Sequence, residues 1–344
     1  MAPKPVVFHA VLGLAAVLRR KFGELAGPSR YTSQIMNELD LLALDEKLRI
    51  VLPLEYQDNY EDVQPVSMGS AGLKYDVAGR VAWGEIWGSF CDLAMAGGPP
   101  HKGKLLEPAT AAEIEAEPGR YNAVLGEICR GIRLVTELVA VEPSSNAGWV
   151  RVICPTRVMA GWLARAIVME NVSVRATGDV VELPAGPHYR IAKEIKNVIT
   201  VVAKTCHYYE GHLEPGQQRK IGKIFSEADS HWPLLQPCRA GDGVDNDQLR
   251  DLKGRLTAKL LASTGLRGAA GDYFGWVGLE TASIRPAIWM MRALIVNNVL
   301  ARREGTFLYI PANPIADPMG EIILTAMSRV YQLATARGVF AQES

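Results

Sequence analysis

Residues 148–187 read GWVRVICPTRVMAGWLARAIVMENVSVRATGDVVELPAGP, and residues 275–314 read GWVGLETASIRPAIWMMRALIVNNVLARREGTFLYIPANP. Aligned without gaps at an offset of 127, and extended to Gly148–His212 against Gly275–Val339, the two stretches agree at 17 of 65 positions. Chance gives about four or five for ordinary composition. The matches include Gly148-Trp149-Val150 with Gly275-Trp276-Val277, Trp162 with Trp289, and Arg165-Ala166 with Arg292-Ala293. Asn171-Val172 meets Asn298-Val299, Arg175 meets Arg302, and Gly178 meets Gly305. Apolar character persists where identity fails, as at Val168/Ile295 and Leu183/Ile310. This is read as an internal duplication.

Each copy has the same local pattern. An apolar strand covers Trp149–Ile153, and a helix covers Arg157–Met169 with Val158, Trp162, Arg165/Ala166 and Met169 at helical spacing. A hairpin or bent strand follows: Val172–Arg175, a turn at Thr177-Gly178-Asp179, then Val180–Leu183. A longer helix over Tyr189–Tyr209 carries Ile191, Ile195, Val198, Ile199, Val202, Cys206 and Tyr209 on one stripe, as a helix packed on a sheet does. The unit is βαββα, with too little core to stand alone. A third, weaker copy is read upstream. Trp87 and Gly103 keep the spacing of Trp162 and Gly178, and Leu105-Leu106-Glu107-Pro108 resembles Val180–Pro184.

The expected fold is therefore α/β or α+β, with two or three homologous βαββα-like units arranged with internal pseudo-symmetry and a helical N-terminal region. Residues 1–67 form that region, with helices over Val6–Leu25 and Tyr31–Leu42 and a strand over Arg49–Leu54. Residues 68–147 are the candidate first unit, 148–212 the second and 275–344 the last. Residues 213–274, rich in Gly, Asp, Gln and Lys, read as an insertion with one helix near Asp247–Leu261.

Composition limits the function. The 344 residues are 48% hydrophobic and 22% charged, an ordinary globular mixture. Lys+Arg and Asp+Glu both number 37. The absence of a basic excess argues against nucleic acid as the main partner. The apolar run Val6–Leu18 ends in Arg19, Arg20 and Lys21, where a signal peptide needs small residues, and it is too short to span a bilayer. Five cysteines with no C-x-x-C spacing suggest reduced thiols in a cytoplasm. Walker, dinucleotide-binding, nucleophile-elbow and zincin signatures are absent from the sequence.

Four groups of residues are candidates for chemistry. Basic residues stand beside glycine in equivalent turns: Gly97–Lys104 with His101, Lys102 and Lys104, then Arg175-Ala176-Thr177-Gly178, then Arg302-Arg303-Glu304-Gly305. Backbone N–H groups exposed at glycine, together with cations, hold phosphate or carboxylate. Ordinary surface hairpins carry the same residues, so a plain turn is the competing reading. Cys206, His207 and His212 offer a zinc-like donor set or, more simply, an imidazole for proton transfer. Exposed histidines at a helix end fit the dipole equally well. The repeated Arg165/Arg292 and Glu194/Glu321 are read as a pair that locks each unit. Cys91-Asp92 near His101 is a nucleophile held in reserve, against the usual inertness of a core cysteine. The acidic loop Asp242–Asp247 lacks the calcium-loop pattern and reads as a helix cap.

The leading expectation is a cytoplasmic enzyme acting on a small anionic metabolite bound between the units. Lys102, Lys104, Arg175 and Arg302 supply anion contacts, and His101, His207 or His212 moves a proton. Its rivals are a non-catalytic ligand-binding or assembly protein and a metal enzyme using Cys206, His207 and His212. The partner is a small anionic molecule, not nucleic acid or membrane. Assembly as a homo-oligomer is expected, and no cofactor is named by any motif.

Overall fold

The computed structural model of the protein describes residues 30–52, 54–58, 60–62, 72–85, 104–142, 147–269 and 273–341. The chain divides between Glu46 and Lys47 into two units. Of the first, only the start of helix α1 (Arg30–Ile50) is described. The expected helix Val6–Leu25 lies outside the described residues.

The second unit is α+β, with two four-stranded antiparallel sheets. Helices α2 (Ala111–Ala116) and α3 (Pro118–Thr136) lead into β1 (Val139–Val141) and β2 (Trp149–Ile153). Then come α4 (Arg157–Met169), β3 (Arg175–Thr177), β4 (Val180–Pro184) and α5 (Lys196–Gly211). Helices α6 (Pro215–Asp229) and α7 (Asn246–Thr264) precede β5 (Arg267–Gly268) and β6 (Trp276–Glu280). The chain continues through α8 (Ile284–Val296), β7 (Arg302–Glu304), β8 (Phe307–Pro311) and α9 (Glu321–Ala336). The strand orders are β1-β2-β4-β3 and β5-β6-β8-β7. In the first sheet Trp149 pairs with Pro184, and in the second Trp276 pairs with Pro311.

Local chemistry explains these boundaries. Thr156 caps α4 by accepting the Met159 N–H at 3.1 Å. Beyond their helices, Asn171 (φ 57°) and Asn298 (φ 64°) are left-handed, a conformation that asparagine tolerates better than most side chains. The chain then runs past a preceding extended segment. Leu106 donates to the Asn171 carbonyl at 2.8 Å, and Leu235 donates to that of Asn298 at 2.8 Å. Gly148 (φ 86°) is required, because a Cβ there would lie 2.5 Å from the Ala109 carbonyl oxygen. Gly275 (φ 71°) faces Cys238 in the same way.

The core lies under the helices that follow β2 and β6. Ten of thirteen α4 residues and eleven of thirteen α8 residues are buried. Each helix is therefore covered on nearly all sides, which explains why both read as apolar throughout. Trp162 stacks on Tyr208 of α5 with ring centroids 5.8 Å apart.

Several expectations need correction. Among the described residues of Arg49–Leu54 there is no strand: α1 continues to Ile50, and a 3-10 turn begins at Leu54. The helix expected from Tyr189 starts at Ile191 with a π-helical turn. Residues 213–274 contain two helices, α6 and α7, and the strand β5 of the second sheet. Among the described residues of 68–147 there is no separate sheet, because β1 joins the first one. Leu106 makes only a parallel bridge to Val172.

Candidate functional site

A cleft of about 660 Å³ opens at the start of β2 and β3. Trp149, Arg175, Arg239, Asp242, Glu107 and Phe274 are among its walls. The Arg175 guanidinium lies 4.6 Å from the Trp149 ring centroid, and that of Arg239 lies 5.5 Å from the same ring. Arg175 is half-buried and pairs with Asp242 at 2.6 Å. Arg239 is buried and donates through Nη2 to the Val174 carbonyl at 2.9 Å. Its Nε has no hydrogen-bond partner among the described residues. Gly241 (φ 94°) and Gly243 (φ 74°) bend the loop so that Asp242 also accepts the Arg239 backbone N–H at 2.8 Å.

Electrostatics follow from this crowding. Burial and the like charge of Arg175 lower the Arg239 pKa to about 10, with Glu107 and Asp242 acting against them. Burial raises Glu107 above its ordinary range, although Arg239 and Arg302 pull it down. The cleft thus holds two guanidiniums, one engaged carboxylate and one carboxyl biased toward its neutral form. Asp242 offsets one guanidinium, and Glu107 is the carboxyl whose proton affinity burial raises. That arrangement is suited to an anion with oxygens able to bridge two arginines.

Arg302 does not line this cleft. It is fully buried beside Tyr309, Tyr273 and Trp276, with its guanidinium 4.1, 4.3 and 5.1 Å from their ring centroids. Its Nη1 donates to Asn171 Oδ1 at 3.1 Å and Glu304 Oε1 at 2.6 Å. The expectation that Arg175 and Arg302 face one shared pocket is therefore corrected. Both arginines stack on the tryptophan that opens the sheet's second strand, but Arg175 lines the cleft over Trp149 and Arg302 does not.

No protein-family model matches the chain, and neither a curated protein nor a solved structure does.

The other candidates fall elsewhere. His101 and Lys102 lie outside the described residues, as do Cys91 and Asp92. Lys104 is exposed and does not line the cleft. His207 and His212 do meet, edge to face at 5.2 Å, and Tyr208 stacks on His212 at 5.6 Å. His207 lines a different cleft of about 540 Å³ with Glu137, Cys206 and Glu210. Cys206 is buried, and burial pushes its thiol well above the ordinary range, as befits a core residue. Among the described residues no three His, Cys, Asp or Glu side chains form a metal-binding group, so the set Cys206/His207/His212 is not assembled.

The expected Arg–Glu locks do not form. Arg165 donates to the Gly161 carbonyl at 2.9 Å and to Asn298 Oδ1, and Arg292 donates to the Tyr60 carbonyl at 2.9 Å. Glu194 instead takes hydrogen bonds from Arg190. Burial pushes its pKa up, but the Arg190 side chain and backbone N–H outweigh this and hold it near 2.

Arg239, Asp242, Glu107 and Phe274 were missed as site residues. One signal was present: Leu106-Glu107-Pro108-Ala109 resembles Leu235-Gln236-Pro237-Cys238, outside the aligned window. These are the segments that run beside Asn171 and Asn298.

Proposed function

We propose that the protein binds a small carboxylate- or phosphate-bearing molecule in the cleft over Trp149, with Arg175 and Arg239 as its anion contacts. The observation that carries this reading is the pair of guanidiniums on one indole, one of them buried with an N–H that no described residue satisfies. A buried, incompletely paired arginine is costly unless something meets it. Asp242 occupies Arg175 when no ligand is bound, so an incoming anion replaces one carboxylate with another. Phe274 and Trp149 supply apolar wall for the body of the molecule.

Binding is favoured here over catalysis. His207 lines a separate cleft, and among the described residues no imidazole lines the one with the arginines. We further propose that the two sheets descend from one duplicated module and are related by an internal pseudo-symmetry axis. The common strand order, the Trp149/Trp276 registers and the two left-handed asparagines support this. A cytoplasmic location fits the buried free thiols of Cys129, Cys154, Cys206 and Cys238. Among the described residues no helix is long and apolar enough to cross a membrane. A homo-oligomer would use the exposed apolar pair Val139 and Ile153 beside the open edge of the first sheet.

The test is calorimetric titration with sodium sulfate. Saturable binding is expected for the natural protein, weakened about tenfold in Arg175→Gln, equivalent to about 1.4 kcal/mol. Identical titrations for the two proteins, or no saturable heat in either, would refute the assignment.

A further inference from the structure

On the other side of β3, a trough of about 520 Å³ lies between α4 and α6. Its charged residues are Arg157, Arg165 and Asp229. On α4, Arg157, Gly161 and Arg165 follow at spacings of four, so they lie on one face. Gly161 provides a stretch of wall without a side chain, and Gly222 of α6 does the same. Arg165 is 2% exposed and lies over the Phe225 ring at 3.8 Å. Two of its nitrogens are used, by the Gly161 carbonyl and Asn298, while Nε has no partner among the described residues. Asn298 also donates to Asp229 Oδ1 at 2.8 Å, and Arg157 stands 3.7 Å from Asp229 at the exposed rim.

The second half of the chain supplies an internal contrast. At an offset of 127, Arg157 is replaced by Ile284 and Gly161 by Ile288, while Arg165 is kept as Arg292. Ile288 is 2% exposed. The second half thus carries a buried isoleucine where the first half has a glycine, whose place a Cβ could take only 3.0 Å from Arg165 Nη1 and 3.8 Å from the Phe225 ring. The retained arginine alone therefore does not account for the trough; Gly161 and Arg157 are its distinguishing residues.

We propose that this trough is a second ligand site, separate from the cleft over Trp149, for a small monocarboxylate with an apolar body. The carboxylate sits between Arg157 and Arg165, and the body lies against Val158, Phe225 and Leu234, which line the same walls. Two arginines against Asp229 leave a formal charge of +1, which matches one carboxylate. Ser226 and Thr177 stand at the opening as hydroxyl donors.

Ligand-observed NMR titration with benzoate tests this. The natural protein is expected to saturate, Gly161→Ile to weaken binding more than tenfold by filling the trough, and Arg157→Gln to weaken it about threefold to tenfold. Arg157 is 77% exposed, so its replacement leaves the fold intact even if Gly161→Ile does not fold. Lys104→Gln, at an exposed position that lines neither cleft, is expected to leave benzoate affinity unchanged. The proposal is overturned if Arg157→Gln binds benzoate as the natural protein does, or if no saturation occurs. It is also overturned if only Arg175→Gln abolishes binding, a result that would leave the cleft over Trp149 as the single site.

Discussion

Asp242 and Glu107 are the residues whose chemistry most directly governs the proposed anion site. Asp242 holds Arg175 at 2.6 Å, so it competes with any ligand for the same guanidinium. Asp242→Asn keeps an acceptor for the Arg239 backbone N–H but removes the competing charge. Sulfate affinity should rise about fivefold, roughly 1 kcal/mol, and calorimetry would expose the opposite trend if Asp242 were instead part of the receptor. Glu107 gives a pH signature. Burial raises its pKa above the ordinary 4.5, so it takes up a proton earlier than an exposed glutamate as pH falls. That proton removes a negative charge near Arg239, and sulfate remains a dianion throughout. Affinity should therefore increase as pH falls through the Glu107 titration, and Glu107→Gln should flatten the profile at the tighter value. A profile that is unchanged in Glu107→Gln would remove Glu107 from the site. Arg175 was legible in the sequence because it repeats beside a glycine turn. The burial of Arg302 was not, because it depends on cross-strand neighbours. Arg175 is opposite Glu182, whereas Arg302 is opposite Tyr309, an aromatic wall that local spacing does not announce.

At the scale of elements, the turn after each central helix is the decisive joint. Asn171 donates to the Arg303 carbonyl at 2.7 Å and accepts from Arg302, while Asn298 accepts from Arg165 and donates to Asp229. Each asparagine leaves its own helix left-handed and ties to the other half of the unit. Replacing either with alanine should cost about 2–4 kcal/mol in chemical denaturation, combining an unfavourable positive φ with lost buried hydrogen bonds. Glycine at the same position should cost less than alanine, since it keeps the backbone conformation. Equal costs for the two substitutions would show that φ is not part of the effect. The sequence placed β2 and α4 at their observed limits because the short apolar run and the helical period were both clear there. It misjudged Arg49–Leu54 because an apolar run of that length suits a strand or a helix end equally. Of the two helices of 213–274, α7 was expected near Asp247–Leu261 and is found at Asn246–Thr264, whereas α6 was hidden by its polar face.

For the whole molecule, the two sheet-bearing halves are joined by buried polar contacts as well as apolar packing. Asn171 donates to the Arg303 carbonyl at 2.7 Å and Asn298 accepts from Arg165 across the halves. Burial lowers the Arg303 pKa, while Glu170 of the other half acts against it. Glu170 itself forms a buried 2.5 Å ion pair with Lys204 inside the first half. Removing one partner of such a pair leaves an uncompensated charge inside the protein. Residues 47–344 should accordingly unfold in a single transition, with tryptophan fluorescence and far-ultraviolet circular dichroism coincident; two separated transitions would mean that the halves are independent. Repetition was visible in the sequence because it preserves residues at a fixed offset. The cleft was less visible because its walls come from Glu107, Trp149, Arg175, Asp242 and Phe274, distant in the chain and brought together only by folding. The balanced charge of the chain gave no hint of a local pair of cations. The measurement that bears most directly on the anion site is a crystal structure of the protein grown with sulfate. A sulfate bridging Arg175 and Arg239 over Trp149, with Asp242 displaced from Arg175, is the expected result. An intact Arg175–Asp242 pair and no anion in that cleft at saturating sulfate would contradict it.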